Sequence, residues 1–242
     1  MPLPHDAQDP RQNRLLAALP GSEWERWRQH LEPVELAFGQ VLCEPGSQPQ
    51  HAYFPTTAIV SCVYLTLDGG SAEIAVIGND GVVGISLLMG GDATLNQMVV
   101  QSAGRGYRVR AHVMRDEARR PGPVLDELLR YTLALLSQIA QTAAYNRYHS
   151  IDQLLCRRLL LGLDRSASHD MVMTQDLAAS LLGVRREGVT AAARKLQLAG
   201  VIRYRRGRIE VLDRRRLEER ARERLIADLW PDQLTPPLPL VV

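Results

Sequence analysis

Between Arg185 and Arg208 the chain carries eight arginine or lysine residues and a single acid, Glu187. Arg185, Arg186, Arg194 and Lys195 come first; Arg203, Arg205, Arg206 and Arg208 complete the run. The whole chain holds 29 basic and 27 acidic residues, a net charge of only +2, so positive charge is concentrated on this segment rather than spread as an overall excess. A guanidinium is a planar fork of donors. It matches the oxygens of a phosphate and the paired acceptors on the edge of a guanine. The chemistry these residues suit is noncovalent recognition of a polyanion. The competing reading is a solvated face, because Lys195 is the only lysine and the chain is arginine-rich throughout.

Two short helical patterns around a glycine must position these groups. Thr174 can cap the first, its hydroxyl taking a free backbone N–H. Leu177, Ala178, Leu181 and Leu182 then recur at helical spacing. Gly183 stands where that helix must stop, since glycine reaches left-handed angles without steric cost. Small Ala179 allows a close helix crossing. The second helix, near 185–198, buries Val189, Ala192, Ala193 and Leu196 and shows Arg185, Arg186 and Glu187 in its first turn, with Thr190 and Arg194 further along. This pattern is a helix-turn-helix, whose second helix enters the major groove. An ordinary helical hairpin in a core fits the spacing too. The next stretch of chain favours the former: Val201, Ile202 and Tyr204 alternate with arginines, Arg206-Gly207 supplies a tight turn, and Ile209 and Val211 return, a two-stranded wing over 202–212. The candidate DNA contacts are Thr174, Arg185, Arg186, Glu187, Thr190 and Arg194, with Arg203, Arg206 and Arg208 of the wing.

The block Thr174–Leu196, its Arg186–Glu187 pair and the wing resemble the Crp/Fnr superfamily of bacterial transcription regulators. The resemblance implies that Arg186 and Glu187 meet base edges. A third family position, usually arginine, is Ala191 here, so the resemblance does not carry the family's usual operator sequence over to this chain. Gly188 also lies inside the recognition helix, at about 1 kcal/mol of helix propensity relative to alanine.

Before the motif, residues 1–12 are polar and proline-bearing, and residues 14–19 and 22–30 read as short helices, with Trp24 and Trp27 docking on the segment after them. Short β-type runs then alternate with turn signals: 35–38, 41–43, 52–54, 59–67, 72–77, 82–87, 97–101 and 107–109. That texture means an antiparallel sandwich or barrel, and the resemblance implies a jelly-roll barrel of the cyclic-nucleotide-binding type. A long helix comes next, over about 124–148. Leu129, Leu133, Leu136, Ala140 and Ala143 form a coiled-coil-like seam on it, while Leu125, Leu128, Leu135 and Ile139 form a second stripe. One stripe would cover the chain's own barrel and the other a second subunit; a single buried core helix is the alternative. Residues 151–163 and 214–229 read as further helices. The expected fold class is α+β: a helical lead-in (1–30), a jelly-roll β-barrel (31–120), a dimerisation helix and hinge (121–149), a winged helix-turn-helix (150–230) and a disordered tail (231–242).

Three widely spaced cysteines, Cys43, Cys62 and Cys156, suit reduced thiols and form no metal or disulfide framework. The amino-terminal residues lack a signal-peptide core, and no run reaches the ~18 apolar residues of a membrane span, so the expectation is a cytoplasmic protein. Cyclic-nucleotide-binding members of the family use Gly-Glu and a downstream arginine; here Gly84 precedes Ile85, and Asn96-Gln97 stands where the arginine would be. A buried phosphate would lack its cation, so neither cyclic nucleotide nor any other cofactor is expected. No catalytic residues and no metal site are expected. The six histidines are far apart, which weakens a metal-dependent β-barrel enzyme, and no Gly-x-Ser-x-Gly elbow supports a hydrolase. The expected partners are double-stranded DNA, a second copy of the chain, RNA polymerase and a small-molecule effector of unknown identity. The alternative function is an interaction module that works through protein partners.

Overall fold

A computed structural model describes residues 9–90, 93–165 and 170–221. The chain divides into two compact units, Met1–Tyr64 with Ala75–Leu136, and Leu65–Ile74 with Ser137–Val242.

In the first unit, a turn of 3-10 helix (Pro10–Gln12) leads into α1 (Arg14–Ala17) and α2 (Gly21–Arg28). Asn13 ties this lead-in down. Its side-chain oxygen accepts from the N–H groups of Leu15 and Leu16, and its amide donates to the carbonyls of Pro55 and Gly81. Trp27 is buried edge-on against Phe54, while Arg11 lies over the ring of Trp24. Seven strands come after: β1 (Glu32–Leu36), β2 (Val41–Cys43), β3 (His51–Pro55), β4 (Ile59–Leu65), β5 (Ser71–Ile77), β6 (Gln97–Ser102) and β7 (Gly104–Arg110). They form a three-stranded sheet, β1-β7-β3, and a four-stranded sheet, β2-β6-β4-β5, antiparallel wherever the register is given. Leu36 and Tyr53 of one sheet share a cluster with Val60, Ile77 and Val100 of the other. This is sandwich packing of two inner faces.

The α+β class is as expected, but the sheets do not close into a barrel. The chain changes sheet between β1 and β2, and β2 has only three residues with a register shift between Val41 and Cys43. The run 82–87, expected as a strand, contributes one isolated bridge, Val83 to Tyr53, and then a turn of 3-10 helix over Ile85–Leu87. Gly84 causes the break: at φ 93° it leaves extended geometry, and a Cβ there would stand 3.2 Å from the carbonyl oxygen of His51. A short α3 (Ala111–Glu117) succeeds β7 and gives Val113 and Met114 to the core. Then α4 (Pro123–Tyr148) begins with proline, whose missing N–H costs nothing in a first turn. It buries Val124, Leu128 and Tyr131, and the Tyr131 hydroxyl donates to the carbonyl of Val82.

The second unit is built on α5 (Ile151–Leu163), which opens with a capping box between Ser150 and Gln153. Then come β8 (Asp170–Val172), α6 (Gln175–Leu182), α7 (Arg186–Leu198), β9 (Ile202–Arg205), β10 (Arg208–Val211) and α8 (Arg214–Ala221). Leu155, Leu159 and Leu160 of α5 make one core with Ala178, Val189, Leu196, Ile202, Ile209 and Leu217. The strands pair in the order β8-β10-β9. β8 was not anticipated from the sequence. The expected continuation of the last helix to Leu229 and the tail over 231–242 lie outside the described residues, as do residues 1–8 of the leading segment.

Candidate nucleic-acid interface

Thr174 caps α6 as its position suggests, its hydroxyl oxygen accepting from the N–H of Leu177 at 3.1 Å. The helix ends on Gly183, at φ 65°, ψ 32°, and the N–H of Val184 returns to the carbonyl of Ala179. This closure satisfies carbonyls that would otherwise be orphaned and turns the chain directly into α7. Val189, Ala192, Ala193 and Leu196 pack α7 onto the core, which leaves the opposite face to solvent.

Arg185 is the N-cap of α7, with no side-chain cap bond of its own, and Arg186 and Glu187 form the first turn. All three are exposed, as are Thr190 and Arg194. The free amides of that first turn carry the positive end of the helix dipole, which favours an anion. Arg186 rests against Asp176 of α6 at 3.1 Å, with both side chains more than half exposed. Such a pair is worth about 0–1 kcal/mol, so it holds Arg186 in place without tying it up. The Thr190 hydroxyl lies 2.8 Å from Gln175 Oε1 and 3.0 Å from the carbonyl of Arg186. Lys195, further along the helix, pairs with Asp152 of α5 at 2.9 Å. Gly188 has a packing reason: a Cβ there would stand 2.5 Å from Cδ1 of Ile151.

The wing has the expected turn. Arg206 (φ 48°) and Gly207 (φ 76°) both have positive φ, as a two-residue hairpin loop between twisted strands requires. Arg203 pairs with Glu210 across the strands at 2.6 Å. Arg205 stands directly opposite Arg208. The wing is anchored at its tip, where the carbonyl of Gly207 accepts from the N–H of Met173 at 2.8 Å. Tyr204 on β9 meets the start of α6. Burial pushes its phenol pKa up, while the backbone amide of Gln175 and the charge of Arg186 pull it back down.

The nine candidate contacts therefore fall on one constellation: the start of α6, the first turns of α7 and the wing. Asp176, Gln175 and Arg205 belong to it and were not singled out in the sequence. Arg205 was countable there as part of the basic run; the other two were not legible, because their partners lie 10 to 15 residues away across a helix crossing.

On α4, the seam residues Leu129, Leu133 and Leu136 are 51%, 57% and 58% exposed. Ala140 and Ala143 are exposed as well. Leu128 of the second stripe is buried, and Leu125 and Leu135 pack against the core. In the sandwich, Ile85 is buried, and the amide of Gln97 donates to the carboxylate of Glu44 at 2.9 Å.

Residues 154–220 match the model of the Crp-like helix-turn-helix domain. No curated protein matches the chain. Among solved structures, a Eubacterium rectale protein described as a transcriptional regulator of the crp/fnr family superposes with a TM-score of 0.69 at 16% identity, over 88% of this chain and 100% of that one. FixK2 from Bradyrhizobium japonicum gives 0.67 at 17% identity, over 81% and 99%. A CRP/FNR-family transcriptional regulator from Thermus thermophilus gives 0.64 at 22%, over 80% and 100%. Residues 154–220 thus match a Crp-like helix-turn-helix domain, and the chain has the fold of these solved regulators.

Proposed function

We propose that the protein is a sequence-specific DNA-binding transcription regulator that works as a dimer, with α7 in the major groove and the wing on the backbone. One observation carries this reading: within the Crp-like domain, Arg185 and Arg186 stand exposed at the N-terminal end of α7 and Arg205, Arg206 and Arg208 on the wing. In that arrangement Arg186 and Glu187 read base edges, and Arg185, Thr190 and Arg194 line the groove. Thr174, at the free end of α6, and Arg203, Arg206 and Arg208 hold phosphates. Sequence-independent affinity comes from the phosphate contacts and discrimination from the base contacts.

The second subunit joins along Leu129, Leu133, Leu136, Ala140 and Ala143. Large apolar side chains left half-exposed in a regular row are the expected sign of a helix seam awaiting a partner helix. A two-fold dimer implies a palindromic operator with half-sites about one helical turn, ~34 Å, apart. DNA binding proceeds without cyclic AMP or cyclic GMP. Where a ribose hydroxyl and a phosphate would need a carboxylate and a guanidinium, the chain offers buried Ile85 and a Gln97 already engaged with Glu44. The effector is another small molecule or the protein's own abundance, and RNA polymerase is the further partner. No helix among the described residues is long and apolar enough to cross a membrane, in keeping with a cytoplasmic regulator. The test is recovery of bound DNA fragments genome-wide. A shared palindrome is the expected result; fragments bound without any common sequence would overturn the assignment.

A further inference from the structure

Gln175 is the first residue of α6, and it bonds to both of the elements that flank that helix start. Its side-chain Oε1 accepts from the Thr190 hydroxyl of α7 at 2.8 Å, and its backbone N–H donates to the phenol oxygen of Tyr204 on β9. Next to it, Asp176 pairs with Arg186 at 3.1 Å. Two residues before it, the N–H of Met173 donates to the carbonyl of Gly207 in the wing at 2.8 Å. The start of α6 is therefore where α7 and the wing are tied to each other.

Thr190 has a second contact. Its hydroxyl is 3.0 Å from the carbonyl of Arg186, four residues earlier on α7. A hydroxyl carries one hydrogen, so Gln175 Oε1 and the Arg186 carbonyl compete for it, and Gln175 is the closer. A full bond back to the i−4 carbonyl is the contact through which threonine bends a helix. Here that carbonyl belongs to Arg186 itself, in the turn that also carries Glu187. The ion pair with Asp176 is exposed and worth about 0–1 kcal/mol, too little to fix the direction of that turn.

From this competition of two acceptors for one hydrogen, we infer that Gln175 is a positioning residue for the base readers of α7. It draws the Thr190 hydroxyl off the Arg186 carbonyl, ties the first turns of α7 to α6 and so sets the direction from which Arg186 meets its base pair. Thr190 lines the groove but acts through Gln175. The inference rests on the DNA-binding reading above and adds to it the device that aims Arg186.

The test is a double-mutant cycle on the full chain, read by titrating the recovered operator and its variants at the base pair that Arg186→Ala identifies, over a range of salt. Gln175→Ala and Thr190→Val should each lower discrimination at that base pair about two- to tenfold, the size of one hydrogen bond. The double variant should lose no more than either single one, because both remove the same tie. Thr190→Ser keeps the hydroxyl and should behave as the unaltered protein. The salt slope should stay constant throughout, since no phosphate contact is lost. Additive losses in the double variant would make Thr190 and Gln175 independent DNA contacts, and a slope lower by about one in Gln175→Ala would make it a phosphate contact; either overturns the proposal. Full discrimination in both single variants overturns it too. The same four proteins unfolded in denaturant isolate a purely structural role: coupling in unfolding without coupling in operator binding also counts against positioning. Failure of the DNA-binding reading shows separately, as an unaltered protein that prefers no sequence.

Discussion

Arg186 is the residue on which sequence discrimination rests in the proposed complex. Arg186→Ala should cost about 1–3 kcal/mol on a recovered operator and relax specificity at one base pair per half-site, measured by titrating labelled operator and its single-base variants. Unchanged affinity would remove Arg186 from the interface. Its partner gives the opposite sign. Asp176 holds Arg186 on the surface and in the proposed complex would place a carboxylate beside the DNA, so Asp176→Asn should bind more tightly, by no more than about fivefold given the ~1 kcal/mol ceiling of an exposed pair. Two glycines of the motif should separate on thermal or denaturant unfolding. Gly183→Ala must hold φ near +65°, at roughly 1–2 kcal/mol. Gly188→Ala gains about 1 kcal/mol of helix propensity. Its new Cβ must displace Cδ1 of Ile151, the far end of a flexible side chain; a forced rotamer costs about 0.5–1.5 kcal/mol, so the change should be close to neutral. The need for a glycine at 183 was legible from the sequence, because a helix must end there. The reason for the one at 188 was not, because Ile151 is 37 residues away in the chain.

The wing and the long helix carry the predictions at the scale of elements. Arg206 and Arg208 stand on the β9–β10 hairpin, at its turn and at the start of β10. Replacing either with alanine should weaken all DNA sequences alike and lower the slope of log affinity against log salt by about one. A change confined to one operator variant would make them base readers instead. Leu136→Glu puts a charge into the exposed seam of α4 and should give monomers with much weaker operator binding; a folded variant that still sediments as a dimer would exclude this face as the interface. The helices and the wing were legible because their apolar spacing is long, or is punctuated by Gly183 and Arg206-Gly207. The seam was legible as apolar, but which of its two stripes faces inward depends on Leu128 and Tyr131 meeting the sandwich. The run Val82–Leu87 shows the limit: a short apolar stretch suits a strand or a turn of helix equally, and the backbone angle of Gly84 decides. β8 was not legible because its hydrogen-bond partner, β10, lies nearly forty residues on.

For the whole molecule, the sharpest test concerns its signal. Calorimetry with cyclic AMP and cyclic GMP should show no saturable binding at micromolar concentration. Losing the charged partner of a buried phosphate costs about 3–5 kcal/mol, which carries a micromolar site to millimolar or worse. Micromolar binding coupled to tighter operator binding would refute independence of cyclic nucleotides. The change of texture along the chain, from glycine-punctuated strands to helices, was legible in the sequence. The opening of the expected barrel into two sheets was not, since it turns on how β1 and β2 find different partners. The ion pair between Lys195 and Asp152 has a practical consequence. The chain has one lysine, and it lies on α7. Apart from the chain's own terminal amine, an amine-reactive dye therefore has a single target. One step of bioconjugation, with no engineered cysteine, attaches a fluorophore to the helix proposed to enter the groove.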